Sequence, residues 1–176
     1  LNKLGLKIVN KEIKPNKAIM FTGSAYNRLS LIRTNEIESI IVGGQYLHPF
    51  YREKIKNEFN VKVYNGFGMS EFGAIGIEEF PGENRFKLVD NLIYEVLKED
   101  NKTDFNGVGE LIITDPYNLC TKMIRYLTGD IVKLDNGYMK FIKRIGDLIK
   151  INGELFSKQM LIENIGNILK SNYFLI

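Results

Sequence analysis

The segment Tyr64-Asn65-Gly66-Phe67-Gly68-Met69-Ser70-Glu71-Phe72-Gly73 decides the reading of this chain. It begins at the end of Val61 to Tyr64, which has the look of a short strand that ends at Asn65-Gly66. Open α/β sheets place ligands at the carboxyl ends of their strands. Glycines there let the backbone approach a ligand closely. Phe67 offers a planar stacking surface, Ser70 a hydroxyl, and Glu71 a hard carboxylate suited to magnesium. Taken alone, the segment reads equally well as a tight turn followed by an ordinary loop.

Toward the N-terminus, Ser39-Ile40-Ile41-Val42 is a buried-type strand that stops at Gly43-Gly44, with Gln45 next. Pro49 suits the first turn of a helix, and Tyr51, Ile55 and Phe59 recur down one of its faces. Ile19 to Thr22 reads as an earlier strand. Ser24 can cap a helix carrying Tyr26, Leu29 and Ile32, residues that face either a core or an acyl pocket. Strand and helix alternate through this half, which predicts a parallel sheet covered by helices.

Toward the C-terminus the period shortens. Phe86 to Val89, Leu92 to Leu97, Glu110 to Thr114 and Met123 to Tyr126 read as short strands separated by turn clusters. Asp135-Asn136-Gly137 is a hairpin turn, because Asn-Gly accepts positive φ at both central positions. These strands predict a small antiparallel, barrel-like subdomain. After Asp147 comes another short hairpin, then a helix from about Ser157 to Leu169 with Leu161, Ile165, Ile168 and Leu169 on its apolar side. The expected fold class is α/β, a parallel sheet with covering helices, then the β subdomain and the start of an α+β lobe. The expected divisions are 1–105, 106–145 and 146–176.

Composition narrows the function. The chain has 176 residues, 44% hydrophobic and 26% charged, and a formal net charge of +3. That charge is too small and too interleaved for a nucleic-acid binder, since Lys54, Lys56 and Lys62 alternate with Glu53 and Glu58. No apolar run approaches the roughly 20 residues that span a bilayer, so no membrane partner is expected. A single cysteine, Cys120, excludes an internal disulfide and is compatible with a reducing cytoplasm, the expected location. A single histidine, His48, leaves too few soft ligands for zinc and suits a helix start before Pro49 or a place near the glycine pair.

Two further segments carry chemistry. Ile124-Arg125-Tyr126-Leu127-Thr128-Gly129-Asp130 reads as a strand with a Thr-Gly-Asp end, and an aspartate there can accept two hydrogen bonds from a ribose diol. Lys143-Arg144-Ile145-Gly146-Asp147-Leu148-Ile149-Lys150-Ile151-Asn152-Gly153-Glu154 sets a basic residue beside a glycine and then a hairpin. Each alone could be a turn or a linker.

Together, "IIVGGQYL", "YNGFGMSEFG", "GELIIT", "MIRYLTGD" and "KRIGDLIKINGE" occur in an order that resembles the adenylate-forming superfamily of acyl-CoA synthetases, peptide-synthetase adenylation domains and luciferases. The likeness is closest to the branch of phenylacetate-CoA ligases and acyl-protein synthetases, and it covers about residues 17–170. It implies an adenine pocket lined by Gly43, Gly44 and Gln45, with Phe67, where tyrosine is usual, stacking on the base within Gly66-Phe67-Gly68-Met69. It implies that Asn65 meets the adenine amino group. Ser70 would contact phosphate, Glu71 would hold Mg2+, and Asp130 would bind ribose. Arg144 would contact ribose or phosphate. Gly146 falls at the family's hinge, where Asp or Lys is usual, and Lys143 replaces a usual glycine. Lys150 and Gly153 fall on a loop that faces the site in the second half-reaction.

The implied reaction joins a carboxylic acid to ATP, giving acyl-adenylate and pyrophosphate. A thiol, hydroxyl or amine, with CoA or an acyl acceptor protein among the candidates, then displaces AMP. The family's Ser/Thr/Gly-rich phosphate loop and its late adenylating lysine have no counterpart in these 176 residues. The chain is therefore expected to be a C-terminal-half fragment, inactive alone, with a missing N-terminal part as a possible partner. An enzyme portion and a non-catalytic AMP-binding remnant or interaction module both fit at this stage.

Overall fold

A computed structural model describes residues 18–22, 37–44, 47–118, 120–152 and 154–169. The helix expected after Ser24, with Tyr26, Leu29 and Ile32, lies outside the described residues, as do Gln45 and Gly153.

Strands β1 (Ala18–Thr22), β2 (Ser39–Gly43) and β3 (Lys62–Met69) pair in parallel, as the strand–helix alternation predicts. β-Branched Ile40 and Val42 are buried on one face of β2, and Val63 is buried on β3. Helix α1 (Pro49–Phe59) connects β2 to β3. It starts at His48, whose Nδ1 accepts from the Phe50 N–H at 3.2 Å, with Pro49 in its first turn. His48 thus caps the helix, from a buried position. The helix stops at Asn60, which takes the left-handed conformation (φ 52°) that asparagine tolerates. Tyr51 and Ile55 turn inward and pack with Ile37, Ile40, Val42, Leu47, Val61 and Val63 to form the first core.

The strand expected to end at Asn65-Gly66 instead runs on to Met69. It then reverses into β4 (Gly73–Glu78), which the sequence pattern does not announce. Glycines at 66, 68, 73 and 76 weaken the side-chain signal of both strands. Their backbone groups are satisfied across the hairpin, with a bulge between Phe67 and Gly68.

From β4 the same sheet continues through β5 (Phe86–Leu88), β10 (Tyr138–Arg144), β9 (Tyr126–Asp135), β8 (Gly107–Thr114), β6 (Ile93–Leu97) and β7 (Thr103–Asp104), all antiparallel. Hydrogen bonding crosses residue 105 without a break, because β6 pairs with β8. The run from β4 to β6 curls round a second core of Ile75, Phe86, Leu88, Leu92, Val96, Leu111, Ile113, Val132, Leu134 and Met139. The curl brings the ends of that run together: the Tyr94 hydroxyl on β6 donates to the Ile75 carbonyl on β4 at 3.3 Å. The antiparallel unit is thus barrel-like, yet continuous with the parallel sheet.

The strand expected at Met123 to Tyr126 begins at Tyr126 and extends to Asp135. Residue Arg125, just before it, sits at φ 50°, which is incompatible with a strand. The hairpin between β9 and β10 turns at Asn136 (φ 49°) and Gly137 (φ 82°), as the Asn-Gly signal predicts. Beyond Gly146, β11 (Leu148–Ile151) and β12 (Glu154–Ser157) form a separate two-stranded sheet. Helix α2 (Lys158–Leu169) follows, with the Ser157 hydroxyl accepting from the Met160 N–H at 3.1 Å. Ile168, expected on its apolar side, is 79% exposed. No helix among the described residues is long and apolar enough to cross a membrane.

Candidate functional site

The parallel strands deliver the first wall of the site. Gly43, the last residue of β2, pairs with Thr22 on one side and with Gly66 on the other. Gly44 follows at φ 79° and turns the chain away. The two glycine segments, separated in sequence by α1, are therefore neighbours across two adjacent strands.

Asn65 lies beside Gly66 on β3 and is buried. Its carboxamide Oδ1 has no hydrogen-bond donor among the described residues. A shielded acceptor without a donor costs about 1–3 kcal/mol. This is the feature that a bound base with an exocyclic amino group would relieve. Phe67 is half-buried, its ring centroid 5.7 Å from that of Phe86 and 6.0 Å from that of Phe141. It forms the edge of the second core, and the aromatic cluster holds its ring in place.

Ser70, Glu71 and Phe72 form the tip of the β3–β4 hairpin, closed by the Phe72 N–H donating to the Met69 carbonyl at 3.3 Å. Gly68 cannot carry a side chain here, since a Cβ would lie 2.6 Å from the Gly73 carbonyl oxygen. Ser70 and Glu71 are exposed. The Tyr126 hydroxyl donates to Glu71 Oε1 at 3.2 Å, and the Tyr126 ring meets Phe72 edge-on at 5.7 Å. The hairpin tip is thereby tied to the start of β9. The neighbouring Glu71 charge and that hydrogen bond raise the Tyr126 hydroxyl above the usual tyrosine range.

Thr128-Gly129-Asp130 lies inside β9 and not at a strand end, a correction to the sequence reading. The strand continues because Asp130 and Ile131 pair across β10 and β8, which the local sequence cannot reveal. Thr128 Oγ1 donates to the Leu111 carbonyl at 2.9 Å and accepts from the Asp130 N–H at 3.2 Å. The Gly129 N–H donates to Glu110 Oε1 at 3.1 Å. Asp130 is 3% exposed and pairs in register with Arg144, whose Nε is 3.7 Å from Asp130 Oδ1. Burial pushes the Asp130 carboxyl up. Arg144 pulls it down, while Asp147, Glu110 and Glu71 push it further up.

Glycine at 146 adopts φ 80°, right after β10, and the Ile145 N–H donates to the Gly129 carbonyl at 2.6 Å. The expected hinge position therefore directly follows the residues that flank Asp130. Lys150 lies on β11, exposed and opposite Leu155, away from any contact with Asp130 or Glu71 among those described.

Sequence reasoning missed one element of the site. Arg52 on α1 and Glu78 on β4 form a buried bidentate ion pair, with Nη1–Oε2 at 2.8 Å and Nη2–Oε1 at 3.1 Å. Arg52 also donates to the Val63 carbonyl at 2.6 Å. Glu78 Oε2 accepts from the Asn65 N–H at 2.6 Å. The only local signal was a charge beside the Tyr51–Ile55 stripe and an acidic pair, Glu78-Glu79, closing an uncharged run. Nothing in the sequence joins the two.

The donor set fits a nucleotide and magnesium. No group of three or more metal-binding side chains occurs among the described residues. Magnesium is commonly held through one or two carboxylates plus substrate phosphates, which the single exposed Glu71 suits. The buried Asp130 beside a cation suits a diol, and the Asn65 oxygen suits an amino group.

No protein-family model matches the chain, and no curated protein matches it. Solved structures do. ATP-bound MatB from Rhodopseudomonas palustris is similar with a TM-score of 0.62 at 18% identity, over 85% of this chain and 35% of that one. O-succinylbenzoate coenzyme A synthetase (MenE) from Bacillus subtilis, in complex with ATP and magnesium, is similar at 0.59 and 20% identity, over 85% and 36%. The anthranilate CoA ligase AuaEII, in complex with anthranoyl-AMP, is similar at 0.58 and 17% identity, over 84% and 33%. The chain has the fold of adenylate-forming enzymes, and it spans about a third of the length of these proteins.

Proposed function

We propose that the chain is the nucleotide-binding portion of an ATP-dependent carboxylic acid ligase. Such an enzyme forms an acyl-adenylate and passes the acyl group to CoA or to another thiol or protein acceptor. One observation carries this reading: residues from four separated segments are joined through strands of one sheet and one hairpin contact. Gly43 abuts Gly66, Glu71 is tied to Tyr126, and Asp130 faces Arg144. The ligands named for the similar structures, ATP, magnesium and an acyl-AMP, are those this residue set suits.

In this reading Asn65 and the Phe67 ring receive adenine, and Asp130 accepts from the ribose hydroxyls. Arg144 and Ser70 face phosphate oxygens. Magnesium held by Glu71 would neutralise charge that develops on the phosphates. Gly146 gives the segment after β10 the backbone freedom for a large φ/ψ change between half-reactions. Placement in the branch of phenylacetate-CoA ligases and acyl-protein synthetases rests on the sequence motifs, and a cytoplasmic location rests on cysteine usage.

Thermal-shift titration tests the binding half of the reading. AMP should raise the melting temperature progressively, because a ligand that binds only the folded state stabilises it by about 2.7 kcal/mol at 100 times its Kd. Magnesium should enlarge the effect of ATP more than that of AMP. A melting temperature unmoved by either nucleotide at millimolar concentration overturns the proposal.

A further inference from the structure

Glu71, the metal ligand of the reading above, sits on the least supported part of the site. It is exposed at the tip of a glycine-rich hairpin, on a long and flexible side chain. Among the described residues its carboxylate makes one hydrogen bond and no ion pair: Oε1 accepts from the Tyr126 hydroxyl at 3.2 Å. Tyr126 is held more firmly. It pairs with Ile113 at the start of β9, and its ring meets Phe72 edge-on at 5.7 Å. Phe72 in turn packs against the second core. Asp130 lies further along the same strand, at most about 14 Å from Tyr126, the reach of four extended residues. Strand β9 is fixed on both sides, by β8 and by β10. One strand thus carries the proposed diol acceptor and the side chain that ties down the proposed metal ligand.

We infer that Tyr126 is a positioning residue for magnesium: its hydroxyl fixes the Glu71 carboxylate relative to Asp130, so that one nucleotide meets both. The inference rests on the nucleotide reading above and deepens it, because it assigns a task to a residue that reading leaves unused. As a surface contact the hydrogen bond adds little to stability, since water replaces either partner when it breaks. Its consequence is orientation. The phenol engages Oε1 and leaves Oε2 without a donor among the described residues, available to a cation. A carboxylate that binds a metal is ordinarily oriented by such an outer hydrogen bond, and losing that bond weakens metal binding. Magnesium demands near-ideal octahedral geometry, so it is sensitive to a ligand that drifts. A strand supplies that support more precisely than a hairpin tip does.

Calorimetric titration of the 176-residue protein with ATP, in magnesium chloride and in chelator, and with AMP in chelator tests it. Tyr126→Phe keeps the ring against Phe72 and removes the hydroxyl alone. In magnesium it should bind ATP about 5- to 10-fold more weakly than wild type, the scale of one net hydrogen bond. In chelator its affinities for ATP and AMP should stay within about twofold of wild type, as for a surface substitution. Glu71→Gln should lose the magnesium enhancement of ATP binding. Adding Tyr126→Phe to Glu71→Gln should change nothing further, because the hydroxyl acts through the carboxylate.

A Tyr126→Phe protein with the wild-type response to magnesium overturns the inference. Tighter ATP binding in magnesium also overturns it, since the hydroxyl would then compete with the cation. Equal weakening with and without magnesium, or failure to fold, marks a general structural role and overturns it as well. So does an additive loss in the double variant, because the hydroxyl then acts apart from Glu71. Wild type binding ATP equally in magnesium and in chelator overturns the metal assignment of Glu71, and no binding of either nucleotide overturns the nucleotide reading. Those two outcomes are seen in wild type alone, so they are distinguishable from failure of the role given to Tyr126.

Discussion

Asp130 carries opposing electrostatic demands. Its burial favours the neutral acid, while the role assigned to it needs the ionised form. A carboxyl whose folded pKa is raised contributes stability that is complete below the unfolded value of about 3.9 and is lost as pH rises through the folded value. Asp130→Asn should therefore melt at a higher temperature than wild type at pH 7, with the gap narrowing as pH falls below the usual carboxylate range. The same variant should lose most of its thermal response to AMP. A melting difference that is constant from pH 3 to 7 would show that Asp130 does not titrate as its burial requires. Phe67 makes the complementary point about a residue that was legible. Its aromatic ring was readable as a stacking surface, but only the structure shows that Phe86 and Phe141 hold it.

The β3–β4 hairpin is the element on which the site depends, and its sequence hid it. Glycine after glycine reads as a turn, yet the backbone is strand on both sides of Ser70-Glu71-Phe72. Gly68 is required by packing against the partner strand, since a Cβ there would meet backbone and not a yielding side-chain end. Gly68→Ala should cost about 1–3 kcal/mol, as overpacking typically does, measured by chemical denaturation. It should also weaken any magnesium effect on ATP binding, because the hairpin tip that carries Glu71 must shift. An alanine variant as stable as wild type would show that the hairpin is looser than described. By contrast, the start and inward stripe of α1 and the Asn136-Gly137 hairpin were readable. Proline, a capping residue and a spaced apolar stripe are local signals, as is a dipeptide that tolerates positive φ. The start of β9 was misplaced because Arg125 takes a left-handed conformation that its residue type does not advertise.

At the scale of the whole molecule, one sheet carries both cores and brings the four motif segments together. The proposed adenine and ribose contacts lie on that sheet, so nucleotide binding should survive in these 176 residues. Turnover is a separate matter. Under the proposed function, the phosphate loop and late lysine that the resemblance implies have no counterpart in these 176 residues, so the isolated polypeptide should give no ATP–pyrophosphate exchange with any carboxylic acid, while still responding to AMP. Exchange above background would show that the residues present suffice for adenylation.

The sequence by itself determined the parallel strands β2 and β3 joined by α1, the antiparallel half, the Asn-Gly turn and which residue types the proposed nucleotide site draws on. These are matters of local conformational preference and side-chain chemistry, written into short stretches. Only the tertiary structure decided that Gly43 lies against Gly66, that Tyr126 ties down Glu71, and that Asp130 sits mid-strand beside Arg144. It alone revealed the Arg52–Glu78 pair beneath Asn65. Those contacts join residues far apart in the chain. Strand register and burial create them, and no local pattern encodes either one.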